Sequence, residues 1–150
     1  MSRNMSKKLG VMALAIAGLS FFVTGPVSAD HHGMSATEKV LKHHLDSFAA
    51  GDLEAILSDY TEESFMITPD GTSKGIDELR ETFAGLLQGL PPGSRFIIQK
   101  QTIEGEYAYI VWSAGSAKMM IPFGTDTFRI VNGKIVAQTF AGQIISKGQR

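Results

Sequence analysis

The sequence predicts an α+β domain over residues 36–146, and three observations carry that prediction. Helical periodicity is confined to the first half of the span, strand-like alternation runs from Arg95 to its end, and Asn132-Gly133 sits between runs of Ile, Val, Phe and Thr. Helices first and strands after is the order of an α+β fold. Asn-Gly between β-formers is the strongest short-range hairpin signal, because a type I′ turn needs positive φ at both central residues.

Ser35-Ala36-Thr37-Glu38 matches a capping box, so the first helix begins there. Val40, Leu41, Leu45 and Phe48 recur at helical spacing, and Gly51 stops the run. At about 100° per residue, His44 falls inside the apolar stripe while His43 projects to solvent. Asp52 caps a second short helix, Leu53 to about Ser58, which Tyr60 ends. A β-like run, Ser64 to Thr68, leads into the turn Pro69-Asp70-Gly71-Thr72. The third helix runs from Ile76 to about Leu87, with Ile76, Leu79, Phe83, Leu86 and Leu87 inward, and Pro91-Pro92-Gly93 closes it.

Strands follow at about 95–103, 106–114, 117–130 and 134–144, the third broken by Pro122 and Gly124. Long strands interrupted in this way bend, and a bent antiparallel sheet makes a concave surface over which helices close. Alternation puts Asp126, Phe128 and Ile130 on one face, which places a carboxylate among apolar side chains. A two-residue loop with no bulge sets Asp126 opposite Thr139 and Phe128 opposite Ala137. A bulge in either strand turns Gln138 and Phe140 inward instead.

The 150-residue chain has no cysteine and a formal charge of −1, but its first 29 residues differ from the rest. Arg3, Lys7 and Lys8 precede an uncharged run whose core, VMALAIAGLSFFV, is 13 residues long, and Val27-Ser28-Ala29 ends it with small residues. This reads as a secretory signal over 1–29, since the apolar core is short of the ~18 residues of a spanning helix. The expected product is secreted or periplasmic, free of the membrane, with 11 Lys and Arg against 15 Asp and Glu. Scattered basic residues without interleaved aromatics argue against nucleic acid as a partner. Residues 30–35 read as a flexible polar leader. Cleavage after Ala29 leaves Asp30-His31-His32, a terminus able to offer four nitrogens to Cu(II) or Ni(II), though the polar leader is the simpler reading and no metal ligand is assigned.

The segments AAGDLEAILSDYTEESFMITPDG (Ala49–Gly71), KGIDELRETF (from Lys74) and GTDTFRIVNGKIVAQTF (Gly124–Phe140) resemble the nuclear-transport-factor-2-like superfamily, in particular its SnoaL-like branch. The resemblance covers residues 36–144. It implies a cone-shaped curved antiparallel sheet wrapped around three N-terminal helices, a cystatin-like α+β barrel with a pocket between sheet and helices, often dimeric through the sheets. Ketosteroid isomerases, polyketide cyclases and dehydratases share this fold with binding modules that catalyse nothing. Carried over by position, Asp126 matches the isomerase aspartate that stays protonated and donates to the enolate oxygen. The isomerase's general base falls on Thr68 and its oxyanion-hole tyrosine on His44. Threonine cannot serve as that base.

The expected catalytic pair is therefore His44 and Asp126, working by proton transfer on a small, mostly apolar, carbonyl-bearing molecule. Tyr60, Phe65, Thr68, Trp112, Phe128, Gln138 and Thr139 are the expected ligand-binding residues. The second reading is a non-catalytic dimeric ligand-binding or protein-interaction module. No cofactor is called for: no metal cage, phosphate loop or nucleophile triad is visible in the sequence.

Overall fold

The computed structural model of the chain describes residues 33–148. The expected signal segment 1–29 and the leader residues Asp30, His31 and His32 lie outside the described residues.

Three helices precede most of the sheet: α1 Ala36–Ala50, α2 Leu53–Leu57 and α3 Gly75–Gly89. The strands are β1 Phe65–Thr68, β2 Gly71–Lys74, β3 Arg95–Glu104, β4 Tyr107–Gly115, β5 Met119–Val131, β6 Lys134–Gly142 and β7 Ile145–Ser146. The expected capping box forms, with Ser35 Oγ accepting from the Glu38 amide at 3.1 Å and Glu38 Oε2 accepting from the Ser35 amide at 2.6 Å. Asp52 caps α2 by accepting from the Ala55 amide. Its last turn delivers Asp59 and Tyr60, both buried, to the edge of the core.

The sheet is curved and open, in the order β2-β1-β6-β5-β4-β3, with β7 added to β5 beyond the end of β6. All pairings are antiparallel except β1 with β6. The short edge strand β2 is an element the sequence reading lacked. Pro69-Asp70 forms a two-residue loop, so Gly71 to Lys74 folds back on β1 instead of continuing as turn. Pro122 and Gly124 do not break β5. An extra residue at Pro122–Phe123 bulges the strand opposite Ser113, bending it while the ladder resumes on both sides. The expected 134–144 strand ends at Gly142, and β7 rejoins β5 past the bulge.

At the β5–β6 hairpin, Asn132 (φ 51) and Gly133 (φ 75) both adopt left-handed conformations, as a type I′ turn requires. Ile130 pairs with Ile135, but Arg129 then pairs with Ala137, so Val136 is an extra residue in β6. From there on Phe128 faces Gln138 and Asp126 faces Phe140. The bulge thus decides the alternative left open by the sequence and turns Gln138 and Phe140 to the inner face.

The core lies between the inner face and the helices. Leu41, Ile56, Leu79, Ile110, Ile121, Phe128 and Ile135 are almost completely buried there.

Candidate functional site

A cavity of about 470 Å³ opens between the inner face of the sheet, α1, α3 and the β1–β2 hairpin. Its size suits one small organic molecule, and most of its wall is apolar, from Phe48, Phe83, Leu86, Ile110, Phe128 and Phe140. Few polar groups reach it. At the inner end stand His44, Trp112, Asp126 and Gln138, and at the mouth Thr68, Asp70, Thr72, Ser73 and Thr82.

Asp126 is 5% exposed, and both of its oxygens accept hydrogen bonds from within the protein. Trp112 Nε1–H donates to Oδ2 at 2.5 Å, and Gln138 Nε2–H donates to Oδ1 at 2.7 Å. The Gln138 carbonyl oxygen in turn accepts from the Tyr60 hydroxyl. Four side chains from β4, β5, β6 and the segment after α2 therefore form one continuous chain of donors and acceptors. Burial, with Asp126 and Asp59 nearby, raises the Tyr60 hydroxyl well above its ordinary range, so Tyr60 is a neutral donor. Burial also pushes the Asp126 carboxyl up, while the bonds from Gln138 and Trp112 and the presence of His44 pull it down without cancelling the rise.

His44, 3% exposed, lies edge-on to Tyr60, Phe83 and Phe128, with ring centroids 5.6, 5.7 and 5.4 Å away. Its Nδ1 faces Asp59 Oδ2 at 3.6 Å, which leaves Nε2 as the ring nitrogen open to the cavity. Asp59 is also held by His43, whose Nδ1 is 2.8 Å from Oδ1. His43 is half-exposed as expected, but it is tied to this buried carboxylate.

The structure brings His44 and Asp126 to one cavity, yet they share no hydrogen bond: His44 faces Asp59 and Asp126 is bonded to Trp112 and Gln138. Of the expected ligand-binding residues, Trp112, Phe128, Gln138 and Thr68 line the cavity. The Thr68 hydroxyl belongs to the hairpin turn, accepting from the Asp70 amide at 3.2 Å. Three expected ligand residues lie elsewhere. Tyr60 sits behind the wall, bonded to Gln138. Phe65 alternates with Met66 and takes the outer face, so Met66 is the β1 residue that lines the cavity with Thr68. Thr139, next to inward Gln138, is likewise on the outer face and exposed, a consequence of the Val136 bulge.

Asp59 is the buried polar residue beside the site that sequence reasoning missed, because an aspartate ending a short helix reads as a solvated terminus; Asp70, Thr72, Ser73 and Thr82 at the mouth were not candidates either. Among the described residues, no group of three or more His, Cys, Asp or Glu is placed to hold a metal ion.

The profile of the SnoaL-like domain family matches residues 41–138. No curated protein matches the chain significantly. Among solved structures, the chain is similar to the epoxide hydrolase/cyclase-like enzyme SalBIII, described for pyran ring formation in the polyether salinomycin. That likeness has TM-score 0.63 and 15% identity over 74% of this chain and 95% of that one. An NTF2-like protein of unknown function from Mesorhizobium loti aligns with TM-score 0.60 and 21% identity, over 75% of this chain and 97% of that one. A protein of unknown function with a cystatin-like fold from Methylobium petroleophilum aligns with TM-score 0.56 and 16% identity, over 77% and 78%. Likeness at these identities is one of fold.

Proposed function

The chain belongs to the SnoaL-like domain family, and from that premise we propose that it is an exported domain whose cavity binds a small, mostly apolar, carbonyl-bearing molecule and transfers a proton on it. The observation that carries the reading is the placement of two buried proton-active groups, His44 and Asp126, at the inner end of an otherwise apolar cavity. His44 takes or gives the proton through Nε2. Asp126, in the protonated form that burial favours, donates its O–H to the ligand's carbonyl oxygen, while Trp112 and Gln138 hold the carboxyl in the cavity wall. In low dielectric such fixed groups act strongly on developing charge. The likeness to a cyclase-like enzyme supports this class of chemistry. The basic and apolar run before Ala29 supports export, to a periplasm or beyond.

One observation favours a second reading, a non-catalytic binding module: both Asp126 oxygens are satisfied by the protein itself. A screen of ketones, lactones and hydroxylated polyketide-like compounds, read by Trp112 fluorescence and by turnover, separates the two. Proton transfer requires that His44→Gln lower turnover by about 10²–10⁴-fold with binding retained. Binding without turnover, unaffected by Asp126→Asn, establishes the module. If no compound perturbs Trp112, the carbonyl-bearing ligand class proposed here falls.

We further propose a homodimer through the outer face of the sheet. The register sets Ile67, Thr139, Thr127, Tyr109 and Thr102 side by side across five strands, an uncharged row in which Ile67 and Tyr109 are 45% and 38% exposed.

A further inference from the structure

We infer that Asp59 is the positioning residue of His44: its carboxylate fixes the imidazole as the Nδ1-protonated tautomer with the Nε2 lone pair turned to the cavity, and His43 pins that carboxylate from the outer side of α1. Use of the lone pair as a base rests on the function proposed above; the tautomer does not.

The argument starts from two orphaned atoms. His44 Nδ1 and Asp59 Oδ2 are both buried, neither has a hydrogen-bond partner, and they lie 3.6 Å apart. Each is therefore the other's nearest answer. A bare Nδ1 would set its lone pair against a carboxylate oxygen in a medium that screens poorly, whereas a proton on Nδ1 turns the same approach into attraction. No hydrogen bond from another described residue competes for the imidazole: its edge-on neighbours are the rings of Tyr60, Phe83 and Phe128, and Asp126 acts on it through charge alone. The Tyr60 hydroxyl is already committed to Gln138, and Asp126 to Gln138 and Trp112.

Asp59 is itself held. Its carbonyl accepts from the Ile135 amide at 2.8 Å and its amide donates to the Ile56 carbonyl at 3.2 Å, which fixes its backbone against β6 and α2. His43 then fixes the side chain at 2.8 Å from Oδ1. Consecutive residues on a helix project about 100° apart, so His43 and His44 straddle one carboxylate, one from the surface and one from the core. This gives the pair a joint role that neither histidine has alone.

The test is a long-range ¹H–¹⁵N correlation spectrum of the signal-free protein labelled at histidine, recorded about two pH units above the ordinary imidazole value of ~6.5. The expected spectrum has a protonated Nδ1 and an unprotonated Nε2 at His44. The expected excess over the other tautomer is about tenfold, the order that the attraction of a carboxylate oxygen 3.6 Å from the ring nitrogen supports in a poorly screened interior. Asp59→Ala should abolish the excess, and His43→Ala should reduce it. A wild-type His44 protonated at Nε2 overturns the proposal, as does an unchanged excess in Asp59→Ala. An unchanged excess in His43→Ala overturns the part assigned to His43. If Asp59→Ala does not fold, the wild-type spectrum and the surface variant His43→Ala still decide. Because no ligand is involved, an empty compound screen leaves these outcomes as they are.

Discussion

Trp112 reaches Asp126 Oδ2 only because residue 124, its partner across the β4–β5 ladder, has no side chain. A Cβ at Gly124 would lie 2.9 Å from Cε2 and 3.1 Å from Cζ2 of the indole, with the Phe140 ring at 3.3 Å. Gly124→Ala must therefore push the indole away from the carboxyl it serves. Overpacking of this kind costs about 1–3 kcal/mol, and the lost donor adds to it. Urea unfolding should show the destabilisation. Emission from the single tryptophan should shift at the same time, because its polar contact is broken. A variant with unchanged emission would mean that the indole was never held by that contact.

Gln138 serves two neighbours at once, accepting from Tyr60 and donating to Asp126. Gln138→Leu keeps the apolar volume and strands both partners in the interior. Buried polar groups left without partners cost about 1–3 kcal/mol, so stability should fall by that order. The Asp126 carboxyl should move further up, since one of the bonds that pulls it down is gone. Replacing Tyr60 with Phe as well should cost less than the separate losses added together, because the shared partner has already been removed.

How much of this could be read beforehand follows from what fixes each feature. Ser35 with Glu38, and Asn132 with Gly133, are local chemistry, and both form as their residue types require. The periodicity of α1 placed His44 inside, because helical phase is set by the helix itself. Which of Gln138 and Thr139 faces inward could not be read, since Ile135-Val136-Ala137 reads as regular strand whether or not Val136 bulges, and one extra residue exchanges the faces of all that follows. Phe65 failed for a related reason: a four-residue strand has too few positions for alternation to fix which face is inward. Asp59 depends on where α2 ends relative to α1, a tertiary relation with no signature in its neighbours.

The raised Asp126 carboxyl gives stability a definite pH dependence. The folded state holds this proton more tightly than the unfolded chain, whose aspartates titrate near ~3.9. The contribution is therefore fully present below that value and is lost as pH rises through the higher folded value. The slope in that window is at most about 1.4 kcal/mol per pH unit for one group. Asp126→Asn has no proton to lose, so its urea midpoint should be flatter than the wild type over the same window. Equal slopes in the two proteins would show that other groups govern the region.

Thr139 lies between Ile67 and Thr127 in the uncharged outer row, so it is the position at which a charge should separate two copies docked by that face. In a two-fold interface the same patch is used on both subunits, and Thr139→Arg would bring two like charges into one dehydrated region. A stable interface buries about 800 Å² per partner, and an unpaired charge near its centre costs several kcal/mol, enough to dissociate it at micromolar concentration. On a single subunit the substituted side chain faces water, where changes stay within about 0.5 kcal/mol. Sedimentation equilibrium should therefore report two chains for the wild type and one for Thr139→Arg, with the same urea midpoint measured on dilute, dissociated protein. A wild type that sediments as one chain removes the dimer; a variant that sediments as two places the contact on another surface, because the outer face cannot absorb that charge at its centre and still close.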